Sequence, residues 1–107
     1  MPRADLRLTH MDRGVTFGHP NDERAFFEWL ARIPCIATYR GDGPDGLVVT
    51  LSRPPRQDEL RQLIALCHRW RVDMRQLARF ETARNRNWLR NPGAYWHSAL
   101  FLKGRQK

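Results

Sequence analysis

Between Gln57 and Trp70 the residues Leu60, Leu63, Ile64 and Cys67 recur at the spacing of one helical face, and Leu66 and Trp70 widen that stripe. This is the longest amphipathic stretch of the chain, so the fold has to be built against it. Asp58 and Glu59 in its first turn and Arg69 in its last each suit the helix dipole. A chain of 107 residues makes one domain with one modest core, and residues 1–107 are read as a single unit. A second stripe, Phe26, Trp29, Leu30 and Ile33, follows the i, i+3, i+4, i+7 pattern. It predicts a helix over 22–32, capped by Asn21, opened by Asp22 and Glu23, and stopped by Pro34.

Between the two helices lie two strand-like runs, 35–40 and 47–52. Cys35, Ala37 and Tyr39 alternate onto one face of the first, and Leu47, Val49 and Leu51 onto one face of the second. The turn formers from Gly41 to Gly46 join them as a hairpin with a loop longer than two residues. Residues 1–13 are weakly patterned: a true start at Met11, with 1–10 an extension, and a frayed terminus would look the same. Leu6 and Leu8, or Val15 and Phe17, alternate well enough for one more strand, and 14–18 is the preferred position. The fold class is therefore α+β: a small antiparallel sheet of two or three strands on the central hairpin 35–52, packed with helices 22–32 and 57–70 and closed by short C-terminal helices.

Past Trp70, the residues Asp73-Met74-Arg75-Gln76 have the spacing of a capping box, with Val72 and Leu77 placed as a hydrophobic staple. They predict a helix over 74–81. The competing reading is a fourth strand with Met74, Gln76, Ala78 and Phe80 on one side, which would complete a ferredoxin-like order. It would leave Leu77 on the charged side, so the helix is preferred. The segment Trp70–Glu81 resembles the turn and recognition helix of phage-repressor-type DNA-binding domains over about a dozen residues, with Arg71 where a small residue usually stands. That resemblance implies Arg75 and Gln76 as base readers. A last helix is expected over 94–102, and residues 103–107 form a basic tail.

Charge narrows the function classes. The chain carries 17 Arg and 2 Lys against 11 acids, a net of +8. Residues 1–52 hold 6 basic and 7 acidic side chains, and residues 53–107 hold 13 and 4, so the surplus lies wholly beyond Pro54-Pro55. Such asymmetry points to an anionic partner, nucleic acid or an acidic protein surface. Arg84, Arg86 and Arg90 are interleaved with Asn85, Asn87, Trp88 and Asn91, and Tyr95, Trp96 and His97 follow; phosphate pairing, base-edge readout and stacking need these residue types. Arg75, Arg79, Arg84, Arg86, Arg90 and Trp96 are the candidate partner contacts. Two roles fit: a non-enzymatic nucleic-acid-binding domain, or a small protein-binding inhibitor such as a bacterial immunity protein or antitoxin.

Other classes find little support. His10, His19, His68 and His97 are scattered, and Cys67 lies on the apolar stripe, so no catalytic residue is assigned. There is no CxxC or HxxxH for a metal and no phosphate-binding loop, so no cofactor is expected. No apolar run reaches the roughly 18 residues of a membrane span, and the N-terminus has no apolar core of a secretory signal. Two cysteines make no disulfide framework, which points to a cytoplasmic protein.

Overall fold

The computed structural model describes residues 6–102. It is an α+β domain. Strands β1 (Arg7–Leu8), β2 (Ile36–Gly41) and β3 (Leu47–Leu51) form an antiparallel sheet in the order β1-β3-β2. Two long helices, α1 (Pro20–Arg32) and α2 (Gln57–Trp70), pack with it. The short α3 (Arg86–Leu89) and α4 (His97–Phe101) follow at the C-terminal end.

The predicted stripe is the core face of α2: Leu60, Leu63, Ile64, Leu66, Cys67 and Trp70 are all buried. They meet Phe26, Leu30 and Ile33 from the first helical region and Leu47, Val49 and Leu51 from β3 in one cluster. Burial pushes the Cys35 thiol up to about 11 and raises Cys67 further, so both are inert core thiols. Glu59 is the one buried acid among the described residues. Its carboxylate accepts two hydrogen bonds from Arg53, at 2.7 and 2.8 Å, and one from the Arg56 backbone N–H at the start of α2. Those donors hold its pKa below the usual carboxylate range.

Helix α1 begins two residues earlier than predicted. Pro20 presets the first helical φ, and the cap is His19, whose Nδ1 accepts from the Asn21 N–H at 3.0 Å. The N-terminal strand forms at 7–8 and not at 14–18. Arg7 and Leu8 pair with Thr50 and Val49, and the His10 and Met11 N–H groups continue along the hairpin to Asp45 and Leu47. Arg7 clamps the arrangement through Asp42 and Asp45 of the hairpin loop. Leu6, Leu8 and Met11 are buried and anchor residues 6–11 to the core; residues 1–5 and the tail 103–107 lie outside the described residues. Gly46 has φ +66, and a Cβ there would come within 2.9 Å of the Asp12 carboxylate, so this turn needs glycine.

Strand β2 departs from simple alternation. A bulge at Ala37 separates the Ile36–Leu51 pair from Thr38–Thr50, which puts Tyr39 opposite Val49 while Ala37 is exposed. Tyr39 stacks on Phe27, with ring centroids 5.5 Å apart.

The largest correction lies after α2. The predicted α-helix at 74–81 is a 3-10 helix, Arg75–Phe80, and the fourth strand does not form either. Asp73 accepts from the Arg75 N–H, but Gln76 closes no capping box. Its amide instead donates to Thr9 O at 2.8 Å and accepts from the Thr9 N–H at 3.2 Å, pairing with the N-terminal segment as a neighbouring strand would. Met74, Leu77 and Phe80 are buried at a spacing of three, the repeat of a 3-10 helix. The last helix is also shorter than 94–102, because turns occupy residues 92–96 before His97–Phe101.

Candidate functional site

The surplus arginines fall into two groups. In the first, the guanidinium is engaged within the chain. Arg75 makes a two-pronged pair with Asp73, at 3.0 Å from Nε and 2.6 Å from Nη2. Arg86 and Arg90 both bind Glu81, and Arg90 also lies over the Phe101 ring at 4.2 Å. These donors lower the Glu81 pKa, Arg90 contributing most. Arg79 donates to Arg7 O at 3.2 Å. Four of the five predicted arginine contacts thus have work inside the fold.

The second group lies along α2. Arg56 precedes its first turn, Arg61 and Arg69 stand on its polar face, and Arg71 follows it; all four are exposed and none is in an ion pair among the described residues. Arg84, the fifth predicted contact, is likewise exposed and outside any ion pair there. From Arg56 to Arg71 the helix spans roughly 20 Å at about 1.5 Å per residue. The one exposed carboxylate on α2 is Asp58, which accepts from Gln62. Arg71 occupies the left-handed region at φ 61, ψ 34, where helices commonly place glycine; its N–H and that of Val72 close the helix on Cys67 O.

Aromatic rings stand beside Arg61 and His68, whereas Arg69 lies over the Trp70 ring at 4.8 Å on the α1 side of the helix and lines a cleft there with Arg71 and Asp22. The 92–96 turns bring Tyr95 and Trp96 back over α2. Tyr95 packs on His68 at 4.5 Å and on Trp96 at 5.0 Å, and Trp96 meets Trp88 edge to face at 5.9 Å. The Arg61 guanidinium lies 4.0 Å from the centre of the Trp88 ring. Trp88 donates its indole N–H to Gln57, and Trp96 donates to Leu89 O at 2.8 Å. Both indoles are partly buried, while Tyr95 is 54% exposed.

The structure therefore gathers Trp88, Tyr95 and Trp96 as one cluster, but pairs them with Arg61 and His68 from α2. The sequence signal for this pairing is the spacing of Arg61 and His68 at i and i+7, which puts both on one side of α2. Asn85, one of the expected base readers, is 5% exposed and fully used. It accepts from the Thr82 N–H at 2.8 Å and donates to Phe80 O at 2.9 Å, tying α3 to the preceding 3-10 helix. Gln76, a base reader in the repressor resemblance, is held by Thr9, and a six-residue 3-10 segment stands where that resemblance needs a recognition helix.

Elsewhere the surface has a different character. An open groove of about 430 Å³ between α1 and α2 is lined by Trp29, Trp70, Arg32 and Arg69, but also by Glu28. A cleft by the hairpin loop is lined by Asp12, Glu23 and Asp42 above Phe17 and Phe27, and is acidic. Among the described residues no group of three or more His, Cys, Asp or Glu could hold a metal ion, and no helix is long and apolar enough to cross a membrane. No protein-family model, curated protein or solved structure matches the chain.

Proposed function

We propose that this chain is a non-enzymatic binding domain that engages nucleic acid through the arginines around α2 and the aromatic cluster packed at Arg61 and His68. One observation carries the reading: Arg56, Arg61, Arg69, Arg71 and Arg84 are exposed and in no ion pair among the described residues, and Arg61 lies on the Trp88 ring of the Trp88–Trp96–Tyr95 cluster. Arginine suits phosphate because its planar fork gives two parallel hydrogen bonds to one group. The predicted contacts Arg75, Arg79, Arg86 and Arg90 serve in this reading as supports of the C-terminal segment, and Trp96 as the wedge that holds its neighbours.

The test is titration of labelled oligonucleotides by fluorescence anisotropy over a series of salt concentrations. With about five phosphates neutralised, affinity falls on a log–log plot with a slope of about −3.5 on single strands or −4.5 on a duplex. Absence of binding at low salt overturns the reading. It would leave the protein-binding inhibitor, whose interface would use the same Arg, Trp and Tyr side chains.

A further inference from the structure

We propose that the ligand of this face is unpaired nucleic acid, with the Tyr95 ring as the platform for one exposed base and the α2 arginines as its phosphate contacts. The inference rests on the nucleic-acid reading and narrows it to one substrate class.

The three rings of the cluster are not equally available. Trp88 has Arg61 on its ring and its N–H on Gln57. Trp96 is wedged between Trp88 and Tyr95, with its N–H on Leu89 O. Tyr95 alone of the three is more than half exposed, and its contacts with His68 and Trp96 hold it in place. An exposed ring packed on His68, in a cluster that carries the Arg61 guanidinium on Trp88, is what a base with a free π-face binds, with little dependence on sequence. In a duplex that face is already stacked on the neighbouring pair.

Duplex readout needs an element that enters a groove and presents side chains to base edges. The described helices offer none. The 3-10 segment buries Leu77 and Phe80 and has Arg75 and Gln76 engaged. Helix α1 carries three acids, Asp22, Glu23 and Glu28, against two arginines, Arg24 and Arg32, and so has no surplus of cations to offer phosphate. Helix α2 does not project at Arg61 and His68, because Trp88 and Tyr95 pack against those side chains. The acidic hairpin cleft confines a polyanion further to the α2 side.

The experiment compares three probes with the full chain at low salt: a single-stranded 20-mer, the duplex of the same sequence, and an abasic strand of equal length and charge. The expected result is tightest binding to the single strand and weaker binding to the abasic strand. Tyr95→Ala should lower single-strand affinity roughly five- to a hundredfold, Tyr95→Phe should restore it, and duplex and abasic affinities should stay unchanged. Because Tyr95 is exposed, a thermal melt of each variant separates lost contact from lost fold. Equal affinity for single strand and duplex, or a Tyr95→Ala variant that binds the single strand normally, overturns the inference and leaves the nucleic-acid reading standing. No binding to any probe overturns both.

Discussion

The C-terminal segment and α2 carry similar numbers of arginines and use them in different ways. In the C-terminal segment Arg75 closes on Asp73 and Arg86 and Arg90 on Glu81, leaving Arg84, and Arg90 also covers an aromatic ring, so most of the charge is spent on fixing short helices that have little core of their own. On α2 the helix is already held by its apolar stripe, and its arginines are in no ion pair among the described residues. A run of charge in a sequence thus measures what is available only after its carboxylate neighbours are subtracted.

The widest separation between the two groups is expected in binding. Replacing Arg56, Arg61, Arg69 and Arg71 together by Gln should lower oligonucleotide affinity on the order of a hundredfold at low salt and flatten the log–log salt slope by about 3. The triple Arg75, Arg86, Arg90→Gln chain should change affinity less than roughly threefold under the same conditions. The reverse order in anisotropy titrations would invert the comparison. Stability should show the opposite pattern. Asn85→Ala leaves Phe80 O and the Thr82 N–H without their partner and should cost about 2–3 kcal/mol in urea unfolding. A loss below about 0.5 kcal/mol would mean that the C-terminal segment is held by something other than its polar contacts.

Arg53 provides an internal control, an arginine that supports α2 itself. Glu59→Gln should destabilise the chain by about 1–3 kcal/mol, because it weakens the acceptor of two guanidinium donors and the Arg56 N–H. The pKa of Glu59 is lowered in the fold, so its contribution is present above the unfolded carboxylate pKa and is lost as pH falls through the folded value. Wild type should therefore lose stability in acid more steeply than Glu59→Gln, as read from melting temperature against pH. The smallest effect is expected from Glu81→Gln, which weakens the hold on Arg86 and Arg90. It should cost no more than about 1 kcal/mol and raise oligonucleotide affinity about twofold. A fall in affinity would place Glu81 in the interface.

Helix α2 was legible to the residue because an apolar stripe fourteen residues long admits one periodicity. The hairpin was legible from its glycines, but the bulge at Ala37 was not, since one extra residue in an edge strand leaves no mark on composition. The 3-10 helix was misread because Asp73 and Gln76 have capping-box spacing, and the tertiary pairing of Gln76 with Thr9 overrides it. The three-residue spacing of Met74, Leu77 and Phe80 was the better guide. For the candidate site, the residue types were visible and their pairing was not. Which arginine meets a carboxylate depends on where Asp73, Glu81 and Glu59 come to lie, and that is decided by the core.

The irregular β2 bears on how this domain behaves among copies of itself. Its six residues form an edge of the sheet and are nearly all exposed, a template on which another strand could add. The bulge at Ala37 interrupts the even ladder after a single pair, and the exposed Arg40 sets a positive charge on any incoming copy's path. Both features blunt this edge against pairing with a second copy of the chain.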